Sequence, residues 1–418
     1  MSQPAATAPQ LAGRAAAAVF LAFASAYFLS ALLRSVTATL APVFSAELGL
    51  GAADMGLLAG TYFLGFSAMQ LPLGIWLDRI GPKRVLCGLL TLAIAGCLAF
   101  AAASSVAQLM MARFVIGMGV SACLMAPLTL FRRALSVPDQ LRANSWLLMT
   151  GSLGMLASTM PAQWLLPMVG WRGLFAAVAA TLMLATLLIA WVAPADLSTA
   201  PSDPSRAAGY AEVFRAPAFR RFALPGFFSY GGLIAMQSLW IGPWLTQVGQ
   251  RTPADAARGL FVVNASMLVA FLAWGLAMPR LVKAGWSAGR VIGVAWPMGV
   301  ICLAWIIWLG QAAGPGHWAL WCVLTSVVSL SQPAVAQAFP AAQAGRALSA
   351  FNLVIFFGVF SVQWGLGLLI DALAWHGWSM IEAYRAAFAS FAIACAVSFL
   401  VMQFQARRWV RQGRVRQR

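Results

Sequence analysis

Long apolar stretches separated by short polar or charged breaks set the pattern of this chain. Twelve stretches have the length and polarity of membrane helices: 15–42, 54–78, 84–103, 107–133, 141–166, 172–193, 219–247, 254–281, 288–311, 317–340, 346–373 and 379–405. The predicted fold class is therefore all-α, a polytopic membrane protein. An even number of spans puts both termini on one side.

Three breaks are different in kind. Residues 1–14 are polar and Pro/Ala-rich, and read as a disordered terminus. Residues 194–218 hold Pro194, Pro201, Pro204 and Pro217 among Asp, Ser and Arg, which is linker composition. Residues 406–418 form a basic tail. The linker divides the chain into helical bundles at 15–193 and 219–405. Arg14 before Ala-rich sequence mimics a signal peptide, but the apolar run is too long for one, so it reads as an uncleaved first helix.

Composition agrees. Of 418 residues, 62% are hydrophobic and 9% charged, with a mean hydropathy of +0.83; soluble domains carry roughly a quarter charged residues. A net charge of +17 would point to nucleic acid in a soluble protein. Here the bases are asymmetric instead. Of 27 Lys and Arg, four fall on one side of the map, two inside it, and the rest on the other side. That is the positive-inside rule, and it puts both termini and the linker in the cytoplasm of a cell-membrane protein. Arg407 to Arg418 then anchor on anionic lipid, and no nucleic acid is expected. The six cysteines fall in apolar spans without metal-ligand spacing and read as packing residues. No metal, cofactor or catalytic constellation is expected, so the chain does not read as an enzyme. A receptor of the same architecture would carry longer tails.

The two halves repeat each other. Gly74…Arg79 recurs as Gly275…Arg280, 201 residues on. Arg142-Ala143 recurs as Arg346-Ala347, and Gly154 as Gly358, both 204 residues on. Trp171-Arg172-x-x-Phe175 recurs as Tyr384-Arg385-x-x-Phe388. Four matches in order indicate duplication into two pseudo-symmetric six-helix bundles.

Between the second and third stretches runs Gly74-Ile-Trp-Leu-Asp78-Arg79-Ile-Gly81-Pro-Lys83-Arg84. Gly74 permits close helix approach, Gly81 and Pro82 force a turn, and Lys83 and Arg84 pin the loop to the cytoplasm. The sequence Gly-x-x-x-Asp-Arg-x-Gly-x-Lys-Arg resembles the signature loop of the major facilitator superfamily. The resemblance covers about residues 15–405 and implies alternating access, with substrate held between the halves near the midplane. It also implies a cytoplasmic latch centred on Asp78, with Arg133, Arg142 and Arg346 as candidate partners. In the second copy Pro279 replaces the acid and leaves Arg280, so the latch is expected to be asymmetric.

Only Arg34 and Arg113 lie within spans, and an intramembrane ion is a functional candidate by default. Arg113 opens Arg-Phe-Val-Ile-Gly-Met-Gly, which resembles the superfamily's second signature, assigned to coupling or to bracing the first helix; the alternative is an Arg bonded to helix carbonyls. Gly117 and Gly119 half-match a dinucleotide fingerprint, but no strand precedes them. Arg34 shares a helix face with Tyr27 and Thr37. Its position resembles that of the anion-binding Arg in the organophosphate antiporters and anion–cation symporters; the alternative is snorkelling to the outer interface. No second Arg stands on the seventh helix, where Ser229, Tyr230, Gln237 and Trp240 occur, which favours a monocarboxylate over a phosphate dianion.

No Asp or Glu falls mid-span: Glu47, Asp54, Asp371 and Glu382 are near the outer surface. Exchange, facilitated diffusion and proton uptake through an interfacial acid such as Asp54 all stay open. Further cavity candidates are Tyr62, Gln70, Thr150, Gln163, Gln237, Asn264, Gln332, Asn352 and Gln363, each also able to serve as an interhelical hydrogen bond. The expectation is a monomeric secondary transporter of a small organic anion in the lipid bilayer. Efflux of amphipathic drugs is the alternative.

Overall fold

A computed structural model describes residues 11, 13–194 and 210–415. Most of the expected disordered terminus, the 195–209 part of the linker, residues 416–418 and the tail side chains from Arg407 lie outside the described residues. Every regular element among the described residues is helical. Among the described residues, nine helices are long and apolar enough to cross a membrane, and ten if a pair bent by 41° counts as one span.

The bent pair is α2 (Ala52–Ala68) and α3 (Gln70–Arg79), which follow α1 (Gly13–Leu48). Then come α4 (Pro82–Ala102), α5 (Val106–Val120), α6 (Met125–Ala134), α7 (Val137–Ala157) and α8 (Met160–Val192). The expected fifth and sixth spans meet inside α8, where Gly170 breaks the helix at φ 64° and ψ 173°. That left-handed φ is open to glycine at little cost.

After the linker, α9 (Tyr210–Arg215) and α10 (Pro217–Leu224) begin before the expected boundary of 219. Pro217 read as a linker residue, but it occupies the first turn of α10, where its missing N–H costs nothing. The seventh span continues through Pro225–Tyr230, α11 (Gly231–Ala235), Met236–Trp240, α12 (Ile241–Pro243) and Trp244–Val248, alternating π and α turns. The rest are α13 (Pro253–Lys283), α14 (Ala288–Leu309), α15 (Pro315–Thr325), α16 (Ser331–Gln337), α17 (Ala341–Trp375) and α18 (Met380–Val415). The arrangement is consistent with twelve spans. At two ends helix overruns the sequence map. α1 continues past Pro42 to Leu48, and α18 carries helix ten residues into the basic tail.

Glycine lets the helices close up. A side chain at Gly154 would strike the backbone of Phe28 on α1, and one at Gly358 would strike the backbone of Phe227. These two glycines are the pair matched in the sequence repeat, and each brings a helix onto the first helix of its own half. Between the halves, α2 lies along α17 and α1 packs against the seventh span.

Candidate functional site

Two turns of α1 separate Tyr27 from Arg34. Tyr27 is buried, and Gly151 on α7 leaves room for its ring. Arg34 is half-buried. Its guanidinium carbon lies 5.8 Å from the ring centre of Phe66 on α2 and 6.0 Å from that of Phe356 on α17. Those two rings are 4.4 Å apart and come from opposite halves of the chain. Tyr27, Tyr62 and Tyr230 are the electrostatic neighbours of the cation. They are three of only five tyrosines in the chain. Arg34 Nε is buried without a hydrogen-bond partner, and no described carboxylate pairs with the guanidinium.

The second half adds a polar chain. Tyr230 Oη donates to Gln332 Oε1 at 3.5 Å, and Gln332 Nε2 donates to Asn352 Oδ1 at 2.6 Å. Asn352 is buried and stands one turn before Phe356 on α17.

Arg113 has a different place. It is 1% exposed, donates to Leu33 O at 2.9 Å and to Thr37 Oγ1 at 2.6 Å, and lies 4.9 Å over the Tyr62 ring. Gly117 brings α5 flush against the backbone of Tyr62, which lets Arg113 reach α1. Thr37 is therefore engaged by Arg113 instead of standing beside Arg34. Gln237 Nε2 donates to Asn264 Oδ1 at 2.7 Å, and Asn264 Nδ2 to Met155 O at 3.5 Å. The structure thus sets Tyr27 and Tyr62 about Arg34, links Gln332 and Asn352 to that group through Tyr230, and ties Thr37, Gln237 and Asn264 into bonds between helices. Sequence reading missed Phe66 and Phe356. Only the i, i+4 spacing of Tyr62 and Phe66 could have pointed to one of them.

At the basic end, Gly81 turns the loop at φ 100° and Pro82 starts α4. Asp78 Oδ1 meets Arg133 Nη2 at 3.2 Å, and the same nitrogen donates to Leu77 O at 3.4 Å. Lys83 Nζ donates to Ala193 O at 2.7 Å, a cation on the last carbonyls of α8. A Cβ added at Gly74 would meet Ser349 Oγ at 3.6 Å, an ordinary contact, so the helix approach expected here does not require a glycine. Arg142 lies 3.9 Å from Asp139, within its own helix. Arg79, Arg84 and Arg280 are exposed. Tyr210 Oη donates to Leu71 O at 3.2 Å, tying α9 to α3. Burial pushes the Tyr210 phenol up, Arg346 opposes this and Asp78 adds to it, so all three sit in one neighbourhood.

At the opposite end, Glu47 accepts from Trp171 Nε1 and Arg172 Nη1, both at 2.8 Å. Asp371 on α17 accepts from the backbone of α2 across the halves. Asp54 is exposed. No group of three His, Cys, Asp or Glu among the described residues stands close enough to hold a metal ion.

The sequence profile of the Major Facilitator Superfamily matches residues 23–362. The chain is 30% identical over 171 residues to the 4-hydroxybenzoate transporter PcaK of Pseudomonas putida, covering 40% of this chain and 37% of that protein. It is 30% identical over 177 residues to the uridine/deoxyuridine transporter of Lactococcus lactis subsp. cremoris, covering 42% and 36%. Both matches thus span little more than a third of the relative. Among solved structures, a bacterial homologue of the human lysosomal transporter Spinster, inward-facing and unoccupied, superposes with a TM-score of 0.77 at 16% identity over 96% of this chain and 99% of that one. The nucleoside transporter NupG gives 0.71 at 12% identity over 94% and 99%. At these identities the likeness shows the fold.

Proposed function

The chain belongs to the Major Facilitator Superfamily, and we propose that it is a secondary transporter that moves a small organic anion through a membrane by alternating access. One observation carries this reading: Arg34 lies between the halves with no carboxylate among the described residues to neutralise it. A cation at membrane depth costs at least about 2.5 kcal/mol. Two phenyl faces offset a fraction of that. An anionic solute supplies the rest, and the planar guanidinium suits a carboxylate.

The relatives fit this unequally. By its name, the P. putida protein carries 4-hydroxybenzoate, an aromatic carboxylate, whereas the L. lactis protein carries neutral nucleosides. The charge of Arg34, set against two aromatic rings and without a described carboxylate, favours the first kind of solute. Drug efflux of neutral or cationic amphipaths would leave that charge unanswered.

In this reading the bundles at 15–193 and 219–405 rock about Arg34 in the cytoplasmic membrane of a monomer. The basic end and both termini face the cytoplasm. Asp78, Arg133, Tyr210 and Arg346 hold the cytoplasmic side when it is closed. The test is uptake by purified protein in liposomes, with aromatic and aliphatic carboxylates set against neutral and cationic solutes of equal size. Preference for a neutral or cationic solute would overturn the anion reading.

A further inference from the structure

Five side-chain amides among the described residues are buried: Gln70, Gln237, Asn264, Asn352 and Gln363. Four of their NH2 groups have acceptors. Gln70 donates to Phe66 O, Gln237 to Asn264 Oδ1, Asn264 to Met155 O and Gln363 to Ser238 Oγ. Asn352 alone has its carbonyl oxygen occupied, by Gln332 Nε2 at 2.6 Å, and its NH2 without a described acceptor. The residue is 4% exposed.

The direction of the polar chain orients this amide. Tyr230 donates to Gln332 and Gln332 donates to Asn352. Holding Oδ1 on Gln332 turns Nδ2 away from it. Nδ2 is not one of the fully enclosed unpartnered side-chain atoms among the described residues, so it borders space in which a solute oxygen can accept from it. Phe356, one turn along the same face of α17, is also a wall of the Arg34 site. Tyr230 is an electrostatic neighbour of Arg34 and a hydrogen-bond partner of Gln332, so the two polar groups belong to one space.

We propose that Asn352, held by Gln332 and Tyr230, recognises a second, neutral oxygen on the solute. The preferred class is then a flat monocarboxylate that carries a hydroxyl or carbonyl oxygen besides its carboxylate. Arg34 takes the charge, Phe66 and Phe356 the flat body, and Asn352 the second oxygen. This rests on Arg34 as the anion site, and the two can fail separately.

The experiment compares benzoate with its monohydroxylated isomers in liposomes holding wild type, Asn352→Leu or Gln332→Met. Leu keeps the branching of Asn at Cγ but donates nothing. The hydroxylated solute preferred by the wild type should lose roughly two- to tenfold more affinity than benzoate does in Asn352→Leu, the range of one hydrogen bond. Gln332→Met should give a smaller loss of the same selectivity. An equal fall for both solutes, or no change for either, would overturn the proposal while leaving Arg34 as the anion site. If the wild type takes no carboxylate at all, the anion reading fails and this inference with it. Should Asn352→Leu not accumulate, Asn352→Ala is compared on the same pair.

Discussion

Asp371 on α17 caps Ala53 at the start of α2. Its Oδ2 accepts the Ala53 N–H at 2.7 Å, and its Oδ1 accepts that of Ala52 at 3.0 Å. A carboxylate on unpaired N–H groups at the positive end of a helix is a charge-assisted contact. It joins residues more than 300 positions apart, one from each half of the chain. A cavity of about 170 Å³ adjoins it, lined in part by Pro42, Met55, Trp240 and Tyr384. Asp371→Ala should loosen α2 from α17 at this end. A single cysteine at position 55, in a background without other cysteines, should then react with a maleimide several-fold faster. An unchanged labelling rate would mean that the contact does not hold this end shut.

Asp78 and Arg133 form the corresponding ion pair at the basic end, but both belong to the first half. The Asp78 side chain is 58% exposed, so the pair adds little to stability. Asp78→Asn should therefore leave melting temperature and solute affinity nearly intact and slow turnover several-fold. Arg133→Ala should do the same, and the double variant should be no slower than either single one. Additive losses would show that the two act through separate contacts.

The excess of bases at one end predicts orientation. Reporter fusions after Pro201 and after Arg418 should both report the cytoplasm. Export of either reporter would invert or break the twelve-span map.

Arg113 and Arg34 should respond to substitution in opposite ways. Arg113 is sealed and braces α1 through Leu33 and Thr37, so Arg113→Ala leaves a cavity and frees Thr37. It should lower thermal stability by several degrees. Arg34→Ala removes a half-buried group that meets ring faces but no described carboxylate, and should leave the melting temperature near that of the wild type. Equal destabilisation by the two would mean that Arg34 is also a brace.

These two arginines also show how far the sequence could be read. Both stood out as charges inside apolar spans, and the second signature marked Arg113 as a possible brace of the first helix. Thr37 follows Arg34 by three residues, which turns it about 60° off that face. The offset is enough to give it to Arg113 instead. Phe66 and Phe356 were hidden among 26 phenylalanines, because nothing local states which aromatic of one half meets which of the other. The linker boundary failed for a related reason. Pro217 has the same composition signal in a loop as at the first turn of a helix. The fold was legible because membrane helices announce themselves by length. The meeting of the halves was not, since it depends on register between distant segments.

Arg34 decides the solute class. A charge-assisted hydrogen bond contributes roughly 1.5–3 kcal/mol, or about ten- to hundredfold in affinity. Lysine keeps the charge but loses the planar fork that grips a carboxylate, and packs less well against the paired rings of Phe66 and Phe356. Arg34→Lys should therefore transport anions weakly, with the loss mainly in apparent affinity. Arg34→Ala should be close to inactive toward them while still folded. The measurement is initial uptake against concentration for wild type, Lys and Ala, using whichever carboxylate the wild type carries best. Anion uptake at wild-type rates in Arg34→Ala would make the residue an interfacial anchor and move drug efflux ahead.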